Sequence, residues 1–395
     1  MRFVKLMCFL LLLFAGLSSE AKKTGGITPG AACIREYLPL LKGKKVALVI
    51  NQTSIVGTTL LLDTLLSEKV KVQKIFVPEH GFRGTADAGA HIRNDIDSKT
   101  GLPVISLYGN NKKPKPEQLK DIDIVVFDLQ DVGTRFYTYI STLEYVMEAC
   151  AENGKQLIVL DRPNPNGHYV DGPVLEKSLR SFVGMQSVPV VYGMTIGEYA
   201  KMLAGERWTH QSEDLAMNVI TCKNYDHTQL YKLPVAPSPN LKEMNAIYLY
   251  PSLCFFEGTV ISVGRGTEKP FQQWGNPLLS KNYSYSFVPE STQGASQPMF
   301  EGSKCYGETL QSPLVEKEVA SRDFLQLSFL IKAYRAYPVK EKFFNDFFEK
   351  LAGTKQLRQQ IISAISETDI RASWQTDIDA FKKIRKKYLL YKDFE

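Results

Sequence analysis

The stretch IDIVVFDLQDVGTRFYTYISTLEYVMEACAENGKQLIVLDRPNPNG, Ile122 to Gly167, decides the fold. It opens on an apolar run, Ile122 to Leu129, too continuous for a strand with one wet face and therefore expected to be covered on both. Tyr139 to Asn153 then changes period: Ile140, Leu143, Val146, Met147 and Cys150 share one helical face, and Gly154 stops the helix. Leu157 to Leu160 is a second buried run. Strand, helix, strand at this spacing implies a right-handed crossover between parallel strands.

Outward from this unit the alternation continues. Val46 to Ile50, Val72 to Val77 and Val104 to Leu107 read as buried strands upstream, and Leu215 to Cys222 as a sixth downstream. Thr59 to Leu66 reads as a helix, and Thr195-Ile-Gly-Glu198 as a capping box that opens another. The predicted class is α/β, a doubly wound parallel sheet. VAPSPNL, Val235 to Leu241, is a proline-rich connector or cleft wall. After about Tyr248 the chain becomes loop-rich to Glu308, then helical over Asp323 to Tyr337, Glu341 to Lys350 and Thr354 to Glu367. That texture predicts a smaller α+β domain over residues 248–395, following a first domain over 22–247.

Residues 1–21 stand apart. Arg2 and Lys5 precede an apolar run from Leu6 to Leu17 that ends in Ser19-Glu20-Ala21, the pattern of a secretory signal peptide. The run is shorter than the roughly 20 residues of a spanning helix. The expectation is an exported protein, periplasmic or extracellular, that starts near Lys22 and has no stable membrane insertion. Beyond Cys8, the cysteines at 33, 150, 222, 254 and 305 form no CxxC pair, which argues against a zinc site or a disulfide scaffold while leaving one long-range bridge open. The net charge of +6 is mild and spread out apart from a basic cluster at Lys382 to Lys387, so nucleic acid is a poor partner.

In an open parallel sheet, ligands collect beyond the carboxyl ends of the strands. Here those ends carry Asn51-Gln-Thr-Ser54, then Pro78-Glu79-His80-Gly-Phe-Arg83, then Tyr108-Gly-Asn110, then Asp128-Leu-Gln-Asp131-Val-Gly-Thr-Arg135-Phe-Tyr137, then Asp161-Arg162-Pro-Asn164. No GxGxxG or GxxxxGK[ST] follows the first strand, which removes dinucleotide and P-loop phosphate sites and leaves no cofactor implied. Carboxylates, arginines, tyrosines and amides in one place suit a neutral or acidic polyol such as a sugar. Glycoside hydrolysis asks for a proton donor at the leaving oxygen and a second group that serves a water, a nucleophile or a substrate acetamido group. Glu79, Asp128, Asp131 and Asp161 are the acid/base candidates. Asp128 and Asp161 have a plainer reading as helix caps or partners of Arg135 or Arg162. His80 has one as a core histidine, and Tyr137 one as a core aromatic. Glu79 is harder to explain away, because its turn leaves few backbone groups to cap. Further on, Glu257-Gly-Thr and Gly264-Arg265-Gly-Thr-Glu-Lys269-Pro270 form a glycine-rich polar loop, in the plainer reading a surface turn, in which Arg265 and Lys269 could meet a substrate carboxylate across the cleft.

Taken together, VPEHGFRG, DLQDVGTRFYTY, LDRPNPNG, VYGMTIGE and EGTVISVGRGTEKPF resemble, in order and over nearly the whole mature chain, the exo-β-N-acetylmuramidase family of the NamZ type, glycoside hydrolase family 171. The resemblance implies a Rossmann-like first domain, a smaller second domain and a cleft between them. It implies removal of N-acetylmuramic acid from the non-reducing end of peptidoglycan fragments. The family's catalytic glutamate falls on Glu79, with His80 tuning or orienting it and Asp128 or Asp131 as the second carboxylate. Arg135, Arg162 or Arg265 would hold the lactyl carboxylate, and Asn51, Arg83, Tyr137 and Asn164 complete the expected sugar contacts. The rival readings are a non-catalytic binder of cell-wall fragments and, behind it, an esterase or amidase, for which no GxSxG elbow is present.

Overall fold

The computed structural model describes residues 26–79, 81–82 and 95–395. The strands in chain order are β1 (Lys45–Ile50), β2 (Ile55–Val56), β3 (Thr59–Leu60), β4 (Lys71–Val77), β5 (Asp95–Ile96), β6 (Pro103–Ser106), β7 (Ile124–Asp128), β8 (Gln156–Leu160), β9 (Met217–Ile220), β10 (Gln273–Asn276), β11 (Tyr285–Phe287) and β12 (Cys305–Thr309). Seven of them form one sheet in the order β5-β6-β4-β1-β7-β8-β9. All neighbours are parallel except the short edge strand β5, which runs antiparallel to β6. Counted along the six parallel strands this is the 3-2-1-4-5-6 order of a Rossmann-type sheet, whose strand order reverses beside β1, between it and β7.

The continuous apolar runs have the reason inferred for them. Ala47, Val49, Phe76, Val125, Phe127, Leu157 and Val159 face one layer, packed with residues of the short α3 (Pro116–Leu119), α4 (Tyr139–Glu152) and α5 (Ile196–Gly205). Val46, Leu48, Ile50, Ile75, Val77, Ile124, Val126, Ile158 and Leu160 face the other, against α1 (Ile34–Leu41) and α2 (Leu61–Ser67). Strict alternation of side chains puts apolar atoms on both faces, so every position must be apolar. Helix α5 is capped as its sequence predicts, Thr195 accepting from the Glu198 amide and Glu198 reaching back to the Thr195 amide.

Three details differ from the sequence expectation. The helix read from Thr59 begins at Leu61, because Thr59 and Leu60 pair with Ile55 and Val56 around Gly57 in a small hairpin. The loop-rich stretch before Glu308 holds a three-stranded antiparallel sheet, β10-β12-β11, whose strands are short and partly polar and so lack a clear period. The C-terminal helices are shorter and more numerous than read: Ser328–Ala336, Phe348–Ala352, Gln356–Ile362, Glu367–Ala372 and the unanticipated Gln375–Arg385. All five cysteines of the described residues are free thiols.

The two halves share one apolar cluster and are fastened by a guanidinium. Arg135, from the loop after β7, is fully buried, and its Nη atoms donate to Pro173 O and Val188 O at 2.7 Å and to Leu351 O and Ala352 O at 2.9 and 2.8 Å. The last two carbonyls end the helix Phe348–Ala352, where a cation is favoured. Gly353 follows with φ 76°, and a Cβ there would stand 2.4 Å from Arg135 Nη2. Burial without a carboxylate partner pulls the guanidinium down to about 9, still protonated at neutral pH. Expected among the substrate contacts, Arg135 instead spends its Nη donors on backbone, and it is not among the residues that line the cleft.

Arg135→Met should leave four buried carbonyls without their donor and lower stability by at least about 3 kcal/mol, read from the urea midpoint. A second expectation concerns Glu144 on α4, which is buried and accepts from Gln186 Nε2. Burial pushes its carboxyl from 4.5 up to about 7. The folded state therefore holds this proton more tightly than the unfolded chain, so stability present below pH 4.5 is lost as pH rises through 7. Glu144→Gln should gain stability relative to the parent as pH rises from 4.5 to 8, by at most roughly 3 kcal/mol, seen as a higher melting temperature at pH 8 and little difference below pH 4.

Candidate active site

Glu79 stands where β4 stops. Phe76 and Val77 are fully buried and Pro78 ends the ladder, so the next side chain leaves the core at the sheet's carboxyl edge. There Glu79 is half-buried and lines a cleft of about 670 Å³. Its Oε2 accepts from the Thr138 hydroxyl at 3.2 Å, and the Tyr108 hydroxyl also hydrogen-bonds it. Tyr108 comes from the end of β6 and Thr138 from the start of α4, so three successive connections converge on one carboxyl. Burial, with the neighbouring Glu79 charge, pushes the Tyr108 phenol well up and keeps its proton in place. Hydroxyls donate or accept by rotation, so this pair can serve Glu79 in either protonation state. His80 and Arg83, expected beside it, lie outside the described residues.

The other expected carboxylates are placed elsewhere. Asp128 is fully buried and held by Arg162 in a two-pronged ion pair, Nε to Oδ1 at 2.5 Å and Nη2 to Oδ2 at 2.8 Å. Burial alone would pull the guanidinium down; the Asp128 charge outweighs it and raises Arg162. Neither Asp128, expected as a second carboxylate, nor Arg162, expected at the lactyl group, is among the residues that line the cleft; the structure shows them as each other's partners. Asp131 is also buried, accepting from the Gly133 amide at 2.7 Å and from the Tyr192 hydroxyl, and burial pushes it up to about 6. It braces the turn that leads to Arg135 and does not line the cleft. Asp161 accepts from Thr195 Oγ1 at 2.7 Å, the Gly197 amide at 2.8 Å and Tyr391 Oη at 2.5 Å, so it caps α5. These carboxylates take the plainer role of cap or ion-pair partner.

Two expected sugar contacts are likewise internal braces. Asn51 is fully buried, with Nδ2 donating to Tyr139 Oη at 2.7 Å and Oδ1 accepting from Thr53 N and Oγ1 at 2.9 and 2.6 Å. Asn164 donates to Met194 O and accepts from the Asn166 amide, both at 2.8 Å, and packs on Gly133. At the strand-order reversal beside β1 the mouth of the sheet is thus filled by Asn51, Asp128 and Arg162. The cleft opens to one side of it, over the ends of β4 and β6.

Tyr137 and Arg265 do reach the cleft. Tyr137 donates to Pro237 O at 2.9 Å and presents its ring edge-on to Tyr139 and Tyr250. The facing wall is built by α6 (Met244–Leu253), the 3-10 turn Cys254–Gly258, Arg265 and the segment 294–299. Glu257, quoted above only as part of a polar loop, lines this wall and bonds Arg265 Nε at 2.6 Å. Phe182 and the segment 294–299 carry no signal in the sequence beyond small and polar residues near a glycine.

Comparison with known proteins agrees along most of the chain. A family model described as exo-beta-N-acetylmuramidase NamZ, N-terminal, matches residues 46–245, and its C-terminal counterpart matches 248–391. Peptidoglycan beta-N-acetylmuramidase NamZ of Bacillus subtilis (strain 168) is 39% identical over 398 residues, covering 95% of this chain and 93% of that protein. Two crystal structures of DUF1343 family proteins from Bacteroides fragilis NCTC 9343 share the fold. One is 46% identical with a TM-score of 0.86, covering 93% of this chain and 100% of that one. The other is 31% identical with a TM-score of 0.78, covering 93% and 99%. With both family models matched end to end and the cleft lying where their two segments meet, the chain belongs to the exo-beta-N-acetylmuramidase NamZ family.

Proposed function

We propose that this chain is a glycoside hydrolase, an exo-acting β-N-acetylmuramidase that releases terminal, non-reducing N-acetylmuramic acid from peptidoglycan fragments. The observation that carries the reading is the family match over both segments together with one carboxyl, Glu79, held by two hydroxyls at the floor of a sugar-sized cleft. Glu79 serves as general acid toward the leaving glycosidic oxygen. Asp128 has both oxygens on Arg162, and Asp131 has Oδ2 on the Gly133 amide and the Tyr192 hydroxyl, so Glu79 is the carboxyl on which this reading rests. Aromatic walls from Phe136, Tyr137, Phe182 and Tyr250 suit the apolar faces of a pyranose.

Export completes the proposal, since peptidoglycan lies outside the cytoplasm and residues 1–21 have the composition of a signal peptide. Among the described residues no helix is long and apolar enough to cross a membrane.

Glu79→Gln keeps the side chain's shape and its contacts with Thr138 and Tyr108 while removing the transferable proton. It should lower the release of N-acetylmuramic acid from a chromogenic β-glycoside by at least about 10³-fold with an unchanged melting temperature. Full activity in this variant would sink the assignment. For export, the full chain expressed in a bacterial host should be recovered outside the cytoplasm with a mature N-terminus near Lys22, as read by intact mass. Recovery from the cytosol with Met1 attached would count against it.

A further inference from the structure

Arg265 sits in a turn that only glycine permits. Gly264 and Gly266 flank it with φ of 77° and 80°. A Cβ on Gly264 would lie 2.6 Å from Gln273 Nε2, and one on Gly266 2.5 Å from Glu290 O. The turn therefore accepts no other residues on either side of the arginine.

The guanidinium is then fixed from two directions. Its Nε donates to Glu257 Oε1 at 2.6 Å, and its Cζ lies 5.0 Å from the centre of the Phe271 ring. Glu257 is itself contacted through Oε2 by the Cys254 thiol at 3.5 Å. One edge of the fork is thus spent, and Nη1 is buried with no hydrogen-bond partner. A buried N–H left unmade is costly, and a ligand that supplies an acceptor recovers the loss. Arg265 is moreover the one Lys or Arg among the described residues lining the cleft, and Glu79 and Glu257 are its carboxylates. The planar fork presents parallel donors, which match the two oxygens of a carboxylate better than a single hydroxyl.

From the unpartnered Nη edge of Arg265 in the cleft wall, we propose that Arg265 receives the carboxylate of the lactyl ether on the substrate's sugar and is the residue by which the enzyme tells muramic acid from its uncharged parent amino sugar. Glu257 is a positioning residue: it balances the guanidinium and takes Nε, leaving the Nη side for the substrate's carboxylate. The inference rests on the muramidase reading and deepens it. It also separates Arg265 from Arg135, whose Nη atoms hold backbone carbonyls, and from Arg162, paired with Asp128; neither of these lines the cleft.

The test uses the whole enzyme, a chromogenic N-acetylmuramic acid β-glycoside as substrate, and two free sugars as ligands, N-acetylmuramic acid and N-acetylglucosamine, which differ by the lactyl group. In the parent, calorimetry should show N-acetylmuramic acid binding at least tenfold more tightly. Arg265→Met should raise KM for the glycoside on the order of 100-fold, with a smaller effect on kcat, and should bring the two free sugars to within threefold of each other. Arg265→Lys should fall between, and millimolar guanidinium should restore part of the lost rate to Arg265→Ala. Glu257→Gln, which still accepts from Nε, should keep the preference, whereas Glu257→Ala should lose most of it. If the parent cleaves the glycoside and Arg265→Met, folded by circular dichroism, still prefers N-acetylmuramic acid tenfold, the inference fails while the muramidase reading stands. If the parent cleaves nothing, the reading beneath it fails, and the calorimetric preference alone then decides whether Arg265 binds the carboxylate.

Discussion

The structure depends on how it disposes of charge at the carboxyl edge of a fully apolar sheet. Strands covered on both faces deliver their ends into a dry layer, where a polar group without a partner costs several kcal/mol. Arg135 meets that constraint without an anion. Its guanidinium takes four carbonyl oxygens, two of them at the end of the helix Phe348–Ala352, and so fastens the second half of the chain to the loop after β7. This contact joins the two cleft walls behind the cavity, since Leu351 lines the cleft and its carbonyl accepts from Arg135.

The same constraint explains where the cleft is. A Rossmann-type sheet offers its crevice where the strand order reverses, here beside β1. In this chain the Asp128–Arg162 pair, Asn51 and the Ser54 hydroxyl fill that crevice with bonds to one another. A buried ion pair of this geometry adds little net stability over an apolar filling, but losing one member strands the other. The crevice is consequently closed to a nucleotide, and the accessible space lies over the ends of β4 and β6, where Glu79 and Tyr108 emerge.

Chemistry is thereby divided between the walls. The sheet side supplies one carboxyl in the company of two hydroxyls that tolerate its gain or loss of a proton. The facing side supplies a cation already balanced by Glu257, so that a charged substituent received there, as proposed, would meet Arg265 without a strong net field at Glu79. Aromatic edges between them, Tyr137 against Tyr250 and Phe136 against Phe255, keep both walls rigid.

Much of this was legible in the sequence, because it is local. Period and burial pattern determine the six parallel strands, α4 and the capping box of α5, and the apolar run into Pro78 determines that Glu79 must leave the sheet at its edge. The paired glycines around Arg265 likewise determine a turn that holds an arginine out. What tertiary structure alone decided is which charged residues are spent inside. Asp128 and Arg162 are 34 positions apart, and Arg135 and Ala352 are 217 apart. Nothing in the neighbourhood of Asp128, Asp131 or Arg135 distinguishes a side chain that meets substrate from one that meets a distant carbonyl. The carboxylates at the strand ends look equivalent in the sequence, and only the folded chain separates Glu79, which faces a cavity, from those whose partners lie far along the chain. The physical reason is that a polar group's role is set by what satisfies it, and in a doubly wound sheet that partner is brought there by the crossovers rather than by sequence proximity.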